Sequence, residues 1–292
     1  MSQLTFSGHD TFHCRKFWLK KAYDFVESGK RFADADASLE LGVGKNMVTA
    51  IRHWAKCFQI LDEEQQASDL AKKLFADNGW DPYLEDHGSL WLLHYLLVTG
   101  KQASTFDIIF NKLIKERPEF DSDHYLKFLI QNEDNLPSTN TLDKDFKVFY
   151  HTYYADFKAK DIEESFTGIL TELGLLKKIR KNVLDKDGKE KVEEVWLLDR
   201  TVRNEIPLEV LLYGILKQHP TDMSISFNQL YNGDGQIGSV FALSKEGLTE
   251  ALEALAEKFK GDITFSNQAG IRELQFKKEL DADKILASYY AK

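Results

Sequence analysis

The sequence predicts a mainly α chain with small β-hairpins, an α+β fold built of tandem winged-helix-like modules. Three stretches carry that expectation. Residues 34–60, DADASLELGVGKNMVTAIRHWAKCFQI, read as helix, glycine-bearing turn and helix. Farther on, LLKKIRKNVL and KVEEVWLLD alternate around DKDGKE, whose Asp187-Gly188 step suits a tight turn. Helix-rich sequence then closes once more on a hairpin pattern, ITFSNQAGIRELQF. These segments share no close identity, so they are echoes of layout rather than repeats.

Composition bounds the reading. A chain of 292 residues, 43% hydrophobic and 29% charged, is globular and expected to hold two or three domains. The expected modules are 1–79, 80–117 (a helical connector), 118–203 and 204–292. Lys plus Arg number 38 against 47 Asp plus Glu, a formal net charge of −9. That balance opposes nonspecific adhesion to nucleic acid, so any DNA binding must rest on a local basic patch. Two cysteines, Cys14 and Cys57, are too few for a disulfide framework or a Cys-based zinc site. The start MSQLTFSGHD lacks a signal pattern, and the apolar stretch LWLLHYLLV is too short to cross a bilayer. The expectation is a soluble cytoplasmic protein with no membrane partner.

Taken in order, the chain opens with a turn at Gly8 and a helix expected over about 12–27, burying Phe17, Trp18, Ala22, Phe25 and Val26 and stopped by Gly29. His9, Asp10 and His13 cluster before it. Such a cluster reads as a capping and turn network or as part of a metal site. The next helix spans about 36–41, with Asp34 or Asp36 as its cap and Gly42 as its left-handed stop. In the helix that follows, Val48, Ile51, Ala55 and Phe58 form an apolar stripe. Lys45, Thr49, Arg52, His53 and Lys56 form the opposite face, with Asn46 beside them. No carboxylate lies between Lys45 and Ile60, so this face is a candidate DNA-recognition surface. QILDEEQQ is expected to form a small wing-like hairpin.

Within NGWDPYLEDHGSLWLLHYLLV, Pro82 suits an early helical position and Asp81, Glu85 and Asp86 crowd the opening turns. These carboxylates complement the helix dipole; alternatively, with Asp10, they are candidate ligands for Mg²⁺ or Mn²⁺. His9 and Asp10 are the candidate catalytic pair, His9 as general base. Residues 90–98 and 106–114 look like buried helices, with Trp80, Trp91, Tyr95 and Phe110 in the core. After Pro118 come the helices SDHYLKFLIQN, LDKDFKVFYHTYY and DIEESFTGILTELG, then the hairpin. Lys177, Lys178, Arg180, Lys181, Lys186, Lys189 and Lys191 make the hairpin basic, either a phosphate-binding strip or an edge guarded by lysines. The last segment carries helices over PLEVLLYGILKQH, SFNQLYN and SKEGLTEALEALAEKFKG, and DADKILASYYA ends the chain as a helix.

The chain resembles the bacterial family known as domain of unknown function 4007. The matching motifs are FSGHDTF (6–12), where Glu is more usual at Asp10, WLKKA (18–22), LGVGKNMV (41–48), IRHW (51–54), GWDPYLED (79–86) and LWLLH (90–94). They are dense over about the first hundred residues, and the resemblance beyond is one of layout. His13 and Cys14 depart from the pattern, which weakens His13 as a ligand. The resemblance implies a setting in bacterial DNA phosphorothioation and phage-defence gene clusters, beside a cysteine desulfurase, a sulfurtransferase related to PAPS reductases, and an ATPase. In the single-stranded form of that modification, the family member resembles the DNA-nicking subunit acting on double-stranded DNA. The alternatives are a non-enzymatic winged-helix protein that recruits or regulates the modification enzymes, and a scaffold whose hairpins dock partners.

Overall fold

The computed structural model describes residues 4–155, 167–184, 190–268 and 270–291. It is an α+β chain of many helices and two three-stranded antiparallel sheets, and it divides into two compact units. Unit 1 holds residues 1–109 and 116–198; unit 2 holds 110–115 and 199–292. The first three expected modules therefore fall within one unit, apart from the short insertion into unit 2 and a few residues at the second boundary.

Unit 1 opens with an irregular segment and α1 (Trp18–Glu27). The helix starts later than the sequence suggests, because the Phe12 carbonyl is taken by Trp54 Nε1 and Arg15 bridges to Gly168, which hold residues 12–17 in other pairings. Phe17 correspondingly lies outside the core, 56% exposed, and Leu19 and Tyr23 join Trp18, Ala22 and Phe25 in it. α2 (Ala37–Leu41) ends at Gly42, whose φ of 63° is the left-handed stop expected there. Neither Asp34 nor Asp36 caps it: Asp36 makes no side-chain cap bond, and Asp34 accepts from the Arg31 amide instead. α3 (Lys45–Cys57) buries Val48, Ile51, Trp54 and Ala55 and packs on α1. The expected wing after it is reduced to an isolated bridge between Leu61 and Ala67, followed by α4 (Asp69–Phe75).

α5 (His87–Thr99) is apolar all round and buried from Gly88 to Val98, which makes it the central helix of the unit. α6 (Ser104–Ile108) continues through a π-helical turn, Ile109–Leu113, into α7 (Ile114–Glu116). α8 (Ser122–Asn132) and α9 (Thr139–Tyr153) follow, capped by Asp121 and Ser138. Phe106, Phe146, Phe149 and Tyr153 from these helices and Phe120 pack together, mostly edge-on or tilted, at ring separations of 5.3–6.4 Å. Of the helix expected over 161–174, residues 161–166 lie outside the described residues, and 167–174 are not α-helical: Gly168 bridges to Arg15 and Thr171–Leu173 make a single 3₁₀ turn. Lys186, Lys189 and the hairpin turn also lie outside the described residues. β2 (Lys177–Leu184) and β3 (Glu190–Leu197) form the predicted hairpin, and β1 (Glu119–Phe120) adds a third strand through the Phe120–Trp196 register.

In unit 2, α10 (Leu208–Gln218) is buried along most of its length and packs on α14 (Ala282–Tyr290). β4 (Ser224–Ser226), α11 (Phe227–Asn232), α12 (Ile237–Val240) and α13 (Lys245–Lys258) lead to the hairpin of β5 (Ile263–Gln268) and β6 (Ile271–Phe276). β4 pairs with β6, so this sheet too gains a short third strand. Ser244 caps α13 by accepting from the Gly247 amide, as its position in the sequence suggests.

One close approach constrains the site described below. A methyl group at Gly168 would lie 2.1 Å from the His151 carbonyl oxygen, so only glycine lets this segment cross the end of α9. The expected outcome for Gly168→Ala is a loss of about 3 kcal/mol, the upper range for overpacking. It is read as a shift of the urea midpoint; an unchanged midpoint refutes the constraint.

Candidate nucleic-acid interface

The motif segment 6–13 is held by a buried carboxylate. Asp145, on the inner face of α9 and 5% exposed, accepts from the Ser7 amide at 3.2 and 2.9 Å through its two oxygens. His9 Nε2 lies 3.0 Å from Asp145 Oδ1, and the Thr11 amide donates to His9 Nδ1 at 3.2 Å. An accepting Nδ1 leaves the ring proton on Nε2, directed at Asp145. The His9 ring stacks on Trp54 at 6.0 Å, and Trp54 Nε1 donates to the Phe12 carbonyl at 2.9 Å. Gly8 is required here twice over. Its φ is +93°, and a Cβ would sit 2.5 Å from His53 Nδ1.

His9, the expected general base, is therefore buried and engaged by Asp145. The cavity beside it, lined by His9, His53, Trp54, Thr105 and Asp145 among others, measures about 10 Å³, scarcely one water. His9 works as a fastener for the loop. Asp10 is exposed on the loop, with a φ of 46°.

The α3 face divides. Lys45, Asn46 and Arg52 are exposed, and Thr49 is half-buried beside them. Lys45 and Arg52 make no ion pair among the described residues. Lys56 is instead paired with Glu63 at 3.0 Å, and that cation holds the Glu63 carboxyl below its usual range. His53 faces inward, 5.8 Å from the His9 ring, with Cys57 Sγ 3.3 Å from its Nε2. Burial, reinforced by His9, lowers the His53 pKa to about 4. Burial raises both thiols well above their usual range, so Cys14 and Cys57 are not nucleophiles. Amphipathic spacing puts His53 and Lys56 on the candidate face; in the structure His53 turns inward and Lys56 is paired with Glu63.

The four carboxylates do not form one ligand set. Asp81 is buried and its oxygens accept from the Glu85 and Asp86 amides at 2.9 and 3.0 Å. Asp86 caps α5 by accepting from the Gly88 amide at 2.7 Å. Glu85 is exposed. Among the described residues no three His, Cys, Asp or Glu side chains converge as a metal site would need. The four carboxylates named from the sequence are not brought together as one site, and the turn-and-cap role accounts for Asp81 and Asp86.

The hairpin cations are matched by carboxylates across the strands. Lys178 and Arg180 both bind Glu194, at 2.6 and 3.1 Å, and Lys181 pairs with Glu119. The two cations hold the Glu194 carboxyl below its usual range. Lysine and arginine side chains there guard and cross-link the sheet rather than present an unopposed charged strip.

Nothing in the local sequence points to the partners on α9. On the opposite face of that helix from Asp145, Lys144, Lys147 and His151 stand at spacings of three and four. With Thr11, His13 and Arg15 they line a pocket of about 280 Å³. The i, i+3, i+7 spacing is legible in LDKDFKVFYHTYY; its juxtaposition with a motif some 130 residues earlier is not.

The chain matches the family described as "Protein of unknown function (DUF4007)" over residues 6–290. It belongs to this family. Two solved structures are similar, "Magnesium ion-bound SspB crystal structure" and "SspB crystal structure". Each is 26% identical with a TM-score of 0.82, covering 99% of this chain and 88% of the other. No curated protein matches. The family likeness expected from the motifs of the first hundred residues thus extends through both units. No helix among the described residues is long and apolar enough to cross a membrane.

The lowered His53 pKa has a stability consequence. Between pH about 4 and 6.5 the unfolded chain takes up a proton at this residue and the folded one does not, so stability falls as pH drops through that window. The full effect is up to about 3 kcal/mol. Urea titrations at pH 7 and 4.5 are expected to show the loss, and His53→Gln to flatten it; an equal pH slope in the variant contradicts the assignment.

Proposed function

We propose that this chain is a DNA-binding component of a bacterial DNA phosphorothioate-modification and phage-defence system, acting as its nicking subunit. The reading is supported by membership of the family and by full-length likeness to SspB. The observation that carries DNA binding is the outward face of α3, where Lys45 and Arg52 stand exposed with Asn46 and Thr49 in a chain of net charge −9. A short local face of unopposed cations is the form DNA affinity takes in an acidic protein, since counterions released from phosphates drive binding. Arg52 and Lys45 engage phosphates or a guanine edge, and Asn46 and Thr49 add hydrogen bonds. In modification, a nick opens the backbone to the sulfur-transferring enzymes, the cysteine desulfurase, sulfurtransferase and ATPase of the same system.

The dispersed carboxylates favour a second reading, a non-enzymatic DNA-binding protein that recruits those enzymes. Although a similar structure holds a magnesium ion, Asp10, Asp81, Glu85 and Asp86 are not arranged to bind one here, and no metal-dependent step is assigned to them. Supercoiled plasmid separates the readings. The nicking subunit yields open circles, whereas a recruiter leaves the plasmid closed while still retarding it.

Binding is tested on duplex DNA by fluorescence anisotropy across a salt series. Lys45→Ala/Arg52→Ala is expected to weaken affinity at least tenfold near 0.1 M salt and to reduce the salt slope by about 2. Unchanged affinity and slope would remove α3 from the interface.

A further inference from the structure

The pocket between the motif segment and α9 is not used by the α3 reading, and its chemistry points to a specific ligand. Its lining pairs Arg15, Lys144 and Lys147 with His13, His151 and the Thr11 side chain, and no Asp or Glu lines it among the described residues. In an acidic chain this is an unexpected concentration of permanent positive charge. Lys144 is exposed and makes no ion pair among the described residues. Lys147 is shared with Asp143 at 3.0 Å, from the same helix. The two lysine side chains are thus on the outer rim, where a second anion can replace solvent.

The inner wall is built rather than incidental. His13 is 7% exposed, and its ring stacks on His151 at 5.5 Å with 27° between the planes. The Arg15 guanidinium lies over the Trp18 ring, 5.2 Å from its centroid. The backbone approaching the pocket holds Ser7, Asp10 and Thr11 at positive φ, strain that persists only because Asp145 and Trp54 over-determine it. Gly168 closes the end of α9 at a distance no side chain permits. A volume of about 280 Å³ accepts one phosphoryl group with the sugar atoms attached to it.

We propose that this pocket binds a phosphoryl group, with Arg15 and Lys144 as its principal ligands, Lys147 on the rim, and Thr11 and the two histidines supplying hydrogen bonds. A planar guanidinium beside an ammonium is the donor set that phosphate oxygens favour. The shared chemistry has two sources, a phosphodiester of a nucleic-acid strand and a free or terminal phosphomonoester. The inference goes beyond the DNA-binding reading and does not depend on the α3 face.

The test uses the full-length protein, its Lys144→Ala/Lys147→Ala variant and, as control, Lys45→Ala/Arg52→Ala. Both pocket lysines are exposed, so the fold is retained; a circular-dichroism melt checks it. Three probes are titrated: inorganic phosphate by calorimetry, and by anisotropy a single-stranded oligonucleotide with either a 5′-phosphate or a 5′-hydroxyl. The pocket variant is expected to lose at least tenfold affinity for one or more probes, whatever the control loses on DNA. Loss confined to inorganic phosphate and the 5′-phosphorylated strand identifies a phosphomonoester. Equal loss on both oligonucleotides identifies the backbone phosphodiester. Wild-type affinity of the pocket variant for every probe, or a wild-type protein that binds none, overturns the proposal. If only the control loses DNA and the pocket variant keeps wild-type affinity for every probe, α3 is the interface and the pocket falls; if only the pocket variant loses DNA, the pocket stands and α3 is excluded; if both lose it, both surfaces hold the strand.

Discussion

A single buried carboxylate organises the amino-terminal half of this protein. Asp145 lies among apolar and aromatic side chains, where an unpaired charge is costly, and its compensation comes from the Ser7 amide and His9. That requirement bends residues 7–11 into a conformation that non-glycine residues rarely adopt. With the segment so bent, Phe12 presents its carbonyl to Trp54 and thereby ties α3 to the motif. The same helix that contributes Asp145 inward turns Lys144, Lys147 and His151 outward, so the anchoring contact and the cationic pocket are two faces of α9.

This arrangement changes what the polar groups of the motifs do. A histidine and an aspartate side by side in FSGHDTF suggest acid–base chemistry, but His9 is occupied with Asp145 and sits beside a cavity scarcely large enough for one water. The carboxylates of GWDPYLED suggest a cation site, but the oxygens of Asp81 close a turn and Asp86 starts α5. In both cases the polar residues set backbone geometry. The cations that this geometry leaves exposed, Lys45 and Arg52 on α3 and the lysines of α9, are the ones the two proposals use.

Much of the fold was legible in the sequence. α8 begins and ends where its pattern places it, Gly42 stops α2 in the left-handed conformation, and Ser244 caps α13. These features depend on neighbours within a turn or two. β1 and β4 are two and three residues long, too short to show a period of two, and they exist only through pairing with β3 and β6. The late start of α1 has the same origin, since residues 12–17 are claimed by Trp54 and by the segment before them rather than by their own helical tendency. The candidate site was half legible for a related reason. Lys45, Asn46 and Arg52 follow from amphipathic spacing alone. Lys56 and His53 share that spacing, yet Glu63 neutralises one and the His9 ring covers the other. The hairpin lysines read as a basic strip because their matching glutamates sit across the sheet, not beside them in the chain. Asp145 stands 136 residues from His9, and no local pattern connects them.

Amide hydrogen exchange on Asp145→Ala tests the organising role of the carboxylate most directly. The account predicts that exchange over residues 5–13 accelerates by about a hundredfold or more, corresponding to the loss of roughly 3 kcal/mol of local stability, while unit 2 keeps its wild-type rates. Unaltered protection of residues 5–13 in the variant would contradict it.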